Sequence, residues 1–330
     1  MSFGRRISPE ESIQRMATVG SGTTAGNGRA AAEGNDSMTV LDGRFEARLP
    51  KFKMADVILP EPVRQEIRIL RSRINNHDLI YREWGFGAID PKGLNIAVSF
   101  YGPAGTGKTM CAEAVASELG KPILEISYAE IESKYVGETP KNIVAAFRAA
   151  KQANAVLFFD EADSILGRRL TNVTQSADHG VNVSRAVMLK QLDEFEGIVI
   201  FATNLAANYD GAFVRRILQH IYVSPPDEPC RVLLWKKMIS TKVPGAEAID
   251  FTVLARESEG LTGGFIKNAT LLALSELAER PAAGRKLCKE QIIWAIETVK
   301  RAQREVGSAP SVAHAVMSSI SQAGARTGAE

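Results

Sequence analysis

The chain has little of what several function classes need. Its 330 residues include three cysteines, Cys111, Cys230 and Cys288, far apart and without a CxxC pair. That excludes a disulfide framework and a thiolate zinc site, and it fits a reducing, cytoplasmic setting. The four histidines, His77, His179, His220 and His314, show no metal-ligand spacing. No apolar run approaches the roughly 20 residues that span a bilayer, so no membrane partner is expected. No apolar stretch follows Arg5 and Arg6, which argues against a secretory signal, and Glu10 and Glu11 argue against a transit peptide. A net charge of only +2 leaves no broad electrostatic footprint for nucleic acid.

What is present is ordinary for a globular chain of about two domains: 45% hydrophobic and 24% charged residues. Residues 1–48 and 306–330 are rich in Gly, Ala, Ser and Thr. They bury too little apolar surface to offset their ordering entropy and are expected to be flexible tails. Within the core, the apolar runs Ile96-Ala97-Val98-Ser99-Phe100-Tyr101, Val156-Leu157-Phe158-Phe159-Asp160 and Ile198-Val199-Ile200-Phe201-Ala202-Thr203 read as buried strands. Helix candidates lie between them near 108–119, 140–152 and 184–195. Such alternation predicts an α/β domain over 49–225, a parallel sheet covered by helices on both faces. After Pro225 and Pro226 the pattern turns helical at 228–240, 264–280 and 289–305, predicting a small all-helical domain over 226–305. There is no internal repeat.

Two motifs carry chemistry. The first is Gly102-Pro103-Ala104-Gly105-Thr106-Gly107-Lys108-Thr109, a G-x-x-x-x-G-K-T loop between a predicted strand and a predicted helix. Glycines let the backbone curl so that its N–H groups face phosphate, and the helix N-terminus adds a positive dipole end. Lys108 supplies a point charge to the β and γ oxygens of ATP, and Thr109 offers a hydroxyl to Mg²⁺. Met110, next in sequence, is grouped with this cradle. The second motif is the apolar strand ending in Asp160-Glu161. Asp160 is suited to holding Mg²⁺, Glu161 to orienting and deprotonating an attacking water. An acidic pair after a strand is often a strand end meeting solvent. Its place about fifty residues after Lys108, one βα unit on, favours the catalytic reading.

With these motifs, residues from about 55 to 300 resemble an AAA+ ATPase of the AAA clade. They are similar to katanin, spastin and the ESCRT-disassembling ATPase. Nearer still are bacterial and archaeal single-ring ATPases, some encoded with contractile injection systems. The resemblance makes Asp160 and Glu161 the Walker B pair and the whole a P-loop wedge with a helical lid. It makes Asn204, after the strand ending Ala202-Thr203, the sensor-1 residue. It makes Arg215 and Arg216, in Asp210-Gly211-Ala212-Phe213-Val214-Arg215-Arg216, fingers on a neighbouring subunit's ATP. It makes Tyr135, flanked by Lys134 and Val136, the pore-loop aromatic that grips a substrate polypeptide, with a second pore loop around Ser176, Asp178, His179 and Gly180. In the helical domain it assigns Gly263 and Gly264 to close approach of the base and ribose. Gly264 cannot serve as the sensor-2 arginine of other groups, which leaves Lys267, one turn on, as a candidate. Val57 and Ile58 are candidates for apolar contact with adenine, against the alternative of ordinary packing in a linker helix.

The implied activity is ATP hydrolysis with Mg²⁺ by a homo-oligomeric ring, six subunits by resemblance, that remodels, disassembles or threads a protein partner. A remodeller of HORMA-type or injection-system complexes differs mainly in substrate. A DNA-acting helicase or loader is the competing class; Lys134-Tyr135-Val136-Gly137 and the near-neutral charge argue against it. A nucleotide-binding scaffold without turnover is opposed by the intact Lys108, Asp160, Glu161, Asn204 and Arg215. No protease module, HExxH motif or sizeable folded N-terminal substrate domain is evident, so recognition is expected to fall to the tails, the linker or an adaptor.

Overall fold

The computed structural model describes residues 45–90, 95–131, 138–167, 176–204 and 209–307. The chain divides between Ser224 and Pro225 into two compact units.

The first unit is built on five parallel strands: β1 (Ile96–Tyr101), β2 (Ile123–Ser127), β3 (Val156–Asp160), β4 (Ile198–Thr203) and β5 (Gln219–Tyr222). Their order across the sheet is β2-β3-β4-β1-β5. Central β4 is buried along its whole length, as an apolar strand covered on both faces must be. Successive side chains alternate between faces. Val98, Phe100, Val156, Phe158, Ile200 and Ala202 pack on helices α1 (Glu61–Asn75) and α2 (Lys108–Glu118). Ala97, Leu157, Phe159, Val199 and Phe201 pack on the other face against α4 (Glu138–Gln152) and α6 (Ser176–Glu194), with Phe147, Met188 and Leu192. Short α3 (Tyr128–Ile131), α5 (Asp163–Leu166) and α7 (Gly211–Arg216) complete the unit.

The edge strands β2 and β5 are the ones least visible as apolar runs. Glu125 interrupts β2 and is exposed, and β5 has one fully buried residue, Ile221. Helix α6 begins at Ser176, well before the apolar periodicity that marks it near 184–195. Its first turns contain Gly180, a weak helix former that gives no sequence signal.

The topology fixes where a ligand can sit. From β1 the chain crosses to edge strand β2, returns through β3 to β4, then passes to β5 on the far side of β1. Strand order therefore reverses at the β1/β4 boundary, and the crevice beyond the carboxyl ends of those strands is where open α/β sheets bind ligands. Register brings these ends level, with Tyr101 opposite Thr203 and Ser127 opposite Asp160.

The second unit is helical: α8 (Glu228–Met238), α9 (Phe251–Glu257), α10 (Gly263–Glu279) and α11 (Lys289–Gly307). Its core gathers Trp235, Leu254, Ile266, Ala269, Ala273, Ile292 and Ile296. Trp235 donates its indole N–H to Ser258 Oγ at 2.9 Å, so this large side chain is buried without an orphaned donor. Asp227 caps α8 through Cys230 N–H, and Asp250 caps α9 through Thr252 N–H.

Candidate functional site

The loop after β1 carries the glycine–lysine motif directly into α2. Gly107 is the N-cap of α2 at φ 99°, a left-handed conformation that glycine adopts without strain. At Gly102 space also matters: a Cβ there would lie 2.5 Å from the Val223 carbonyl oxygen. The loop is thereby pinned against the segment leaving β5. Its remaining residues, Pro103, Ala104, Gly105 and Thr106, are turn residues, exposed or half-buried. Met110 packs against the α1/α2-side core.

Lys108 is buried, and its ammonium donates to three acceptors. These are Gly102 O at 2.9 Å, Pro103 O at 2.9 Å and Asn204 Oδ1 at 2.7 Å. Burial lowers its pKa, against the raising influence of nearby Asp160 and Asp163. The contact with Asn204 closes the β1/β4 crevice from both sides. Next to it, at the second residue of α2, Thr109 Oγ1 donates to Asp160 Oδ2 at 2.8 Å, joining the helix to the end of β3. A hydroxyl and a carboxylate so placed are hard oxygen ligands that fit Mg²⁺, which takes few protein oxygens and completes its octahedron with phosphate and water. Among the described residues there is no cluster of three or more His, Cys, Asp or Glu that could hold a metal by itself.

Glu161 is exposed and carries φ 52°, a left-handed backbone rare outside glycine. The structure over-determines this turn: Glu161 N–H donates to Asp160 Oδ1 at 2.8 Å and Ala162 N–H to Ala202 O at 2.9 Å. The Glu161 side chain consequently leaves the carboxyl end of β3. With Asp160, Ser127, Glu125, Glu46 and Arg48 it lines a polar cavity of about 450 Å³.

Behind these residues lies a polar group that motif reading missed. Thr203 Oγ1 donates to Asp163, three residues after Asp160, and the Ser99 and Tyr209 hydroxyls share a hydrogen bond of 2.6 Å. Burial holds the Tyr209 phenol above its ordinary value. Tyr209 adjoins Asp210, the N-cap of α7, whose carboxylate accepts from Ala212 N–H at 2.8 Å. Thr203, the residue before Asn204, also hydrogen-bonds Tyr209, so the end of β4 and the segment leading into the arginine-bearing helix meet in one polar group. Only the Asp160-Glu161-Ala162-Asp163 spacing hinted at Asp163.

The two arginines differ. Arg216 donates Nε and Nη2 to the two oxygens of Asp193 at 2.7 and 2.9 Å, a bidentate pair that raises its pKa. Arg215 is exposed, and among the described residues its Nε reaches Gly211 O at 3.3 Å in its own helix. Val57 is buried in the α1/α2-side core, while Ile58 is half-buried. In the second unit Gly263 and Gly264 open α10, and Lys267 is exposed one turn on. The N-cap Thr262 is buried, its hydroxyl without a partner among the described residues, a feature that carries no sequence signal. Ser176, Asp178, His179 and Gly180 fall in the first turns of α6. Lys134, Tyr135 and Val136 lie outside the described residues. Among the described residues no helix is long and apolar enough to cross a membrane.

Comparison with known proteins fits this geometry. Residues 98–225 match the ATPase family associated with various cellular activities (AAA). The chain is 36% identical over 214 residues to the cell division cycle protein 48 homolog of Archaeoglobus fulgidus, covering 61% of this chain and 28% of that protein. It is 36% identical over 191 residues to spastin of Xenopus tropicalis, covering 54% of this chain and 30% of that protein. It is 39% identical over 206 residues to protein SAV of Sulfolobus acidocaldarius, covering 58% of this chain and 25% of that protein. The chain thus spans less than a third of the length of each of these relatives. The matched segment runs from β1 through the P-loop, Asp160-Glu161 and Asn204 to Pro225, and it makes residues 98–225 of this chain an ATPase domain of the AAA family.

Proposed function

We propose that this chain couples ATP hydrolysis to the remodelling, disassembly or threading of a protein partner, working as a homo-oligomeric ring in the cytoplasm. The observation that supports this most is the convergence of Lys108 on Asn204 and of Thr109 on Asp160, where the start of α2 meets the ends of β3 and β4 in one crevice. Lys108 and the loop from Gly102 to Thr109 bind the phosphates. Thr109 and Asp160 would hold Mg²⁺, which would supply charge neutralisation on the phosphates. Glu161 takes the proton of the attacking water, and Asn204 orients that water. Arg215 and Arg216 serve a neighbour's site, where a planar guanidinium suits charge on the transferring group. We assign Val57 and Ile58 to adenine; by the resemblance, Gly263 and Gly264 allow close approach of base and ribose, and Lys267 takes the sensor-2 position.

The substrate arm of the proposal rests on Lys134, Tyr135 and Val136. A flat aromatic ring grips varied polypeptides through apolar contact without sequence-specific hydrogen bonds. Tyr135→Ala is expected to keep basal ATPase within about threefold while losing substrate-stimulated ATPase and remodelling. Tyr135→Phe and Tyr135→Trp are expected to retain most of both. Basal turnover, assembly and remodelling of partners captured by a Glu161→Gln ring are measured side by side. Normal remodelling by Tyr135→Ala would remove the threading function. Stimulation of turnover by DNA instead of a polypeptide would move the chain to the DNA-acting class.

A further inference from the structure

Helix α2 carries an acidic side chain that the nucleotide chemistry does not use. Glu113 is only 3% exposed. Burial pushes its carboxyl up, but a hydrogen bond from Arg48 and one from Lys51 N–H outweigh that, and the net shift is downward. Arg48 Nη2 donates to Glu113 Oε1 at 2.8 Å and also to Glu125, while Lys51 N–H donates to Glu113 Oε2 at 2.5 Å. Arg48 is itself seated on the sheet edge. Its N–H donates to Ile123 O at 2.9 Å and its carbonyl accepts from Ile123 N–H at 2.8 Å, an antiparallel bridge onto β2.

Position gives this cluster its meaning. Glu113 follows Thr109 by four residues, so both lie on one face of α2. Thr109 reaches Asp160 at the end of β3, and Glu113 reaches Glu125 of β2 through Arg48. Strands β2 and β3 are neighbours, with Ser127 opposite Asp160 and Glu125 opposite Phe158. One helix face is therefore held at two points, a turn apart, on adjacent strands. The second tie holds the roll of this face more firmly than Thr109 and the apolar packing of α2 do alone.

We propose that Arg48 is a positioning residue for the nucleotide site: through Glu113 it fixes the roll of α2, and with it the place where Thr109 presents its hydroxyl to the metal–nucleotide complex. This rests on the ATP-site reading above. The competing role is bare stabilisation, since a buried carboxylate needs a cation whatever the helix does.

The test uses the full chain and a fluorescent non-hydrolysable ATP analogue, titrated in EDTA and in Mg²⁺, at temperatures below each variant's melting point. Arg48→Ala is expected to weaken binding about tenfold in Mg²⁺ and to leave binding in EDTA within about twofold, the size of loss seen when groups supporting a metal ligand are removed. Arg48→Lys keeps the charge and a nitrogen that can serve both carboxylates, as Nη2 does, and should retain most of the Mg²⁺-dependent binding. Arg71→Ala is the matched control: it breaks an ion pair of 2.9 Å to Glu118, on the opposite face of the same helix, and should bind as wild type in both buffers. If the lone buried carboxylate prevents Arg48→Ala from folding, Arg48→Met combined with Glu113→Gln removes that charge and should show the same Mg²⁺-specific loss. A lowered melting point with wild-type binding in both buffers would make the pair structural and overturn the inference alone. Failure of the wild-type chain to bind the analogue would overturn the ATP-site reading itself.

Discussion

Lys108→Ala is expected to lower nucleotide affinity by about 100-fold, the loss of roughly 3 kcal/mol in charge-assisted hydrogen bonds to phosphate. An ammonium has three donors, and Lys108 spends all three on Gly102 O, Pro103 O and Asn204 Oδ1. The charge is thus already desolvated and aimed into the loop before any phosphate arrives. Binding need only exchange one neutral acceptor for an anionic oxygen, and alanine offers nothing to exchange. Glu161→Gln separates binding from chemistry. The amide keeps the side chain's shape but cannot accept the water's proton, so turnover should fall by about 10² to 10⁴ while affinity stays within a few-fold. Equilibrium binding of a fluorescent nucleotide and single-turnover hydrolysis, measured on both variants, give the two numbers independently. Wild-type binding by Lys108→Ala would sink the P-loop assignment; wild-type hydrolysis by Glu161→Gln would sink that of the base.

The residues in these variants were legible because their signals are local. A glycine loop between an apolar strand and a helix, and an apolar strand ending in two acids, each declare themselves within about ten residues. Strands β1, β3 and β4 were legible for a related reason: buried on both faces, they are continuous apolar runs. What stayed hidden is held together across the chain. Arg48 and Glu113 are 65 residues apart and Ser99 and Tyr209 are 110 apart; in sequence each is an unremarkable polar residue. Burial has the same property. Nothing local distinguishes Val57 from Ile58, yet packing under α1 takes the first into the core and leaves the second half-buried. The adjacent arginines are the sharpest instance. Identical and consecutive, they part company only because α7 turns one of them toward Asp193 on α6.

That difference predicts unequal losses. Arg215→Ala is expected to cut turnover by about 10³ with nucleotide affinity and melting point nearly unchanged, the scale of an arginine finger supplied from outside the site. Among the described residues Arg215 has no carboxylate partner, so its guanidinium is available to a second subunit without first breaking an ion pair. Arg216 would have to leave two charge-assisted bonds to do the same. Arg216→Ala should therefore also loosen α7, lowering stability by about 0.5–1 kcal/mol for a partly exposed pair, and Asp193→Asn should reproduce that part of its effect alone. Mixing separates a finger acting in trans from one acting in cis. In an equimolar mixture of Arg215→Ala and Lys108→Ala chains, an intact Lys108 faces a neighbour's intact Arg215 at about one interface in four of a head-to-tail ring. Turnover should recover toward about a quarter of wild type, from two preparations each nearly inactive. The same geometry requires activity per chain to rise steeply with protein concentration, and sizing of Glu161→Gln in ATP to show a closed oligomer. No recovery in the mixture, or turnover per chain that is independent of concentration, would place Arg215 outside any neighbour's site and end the ring assignment.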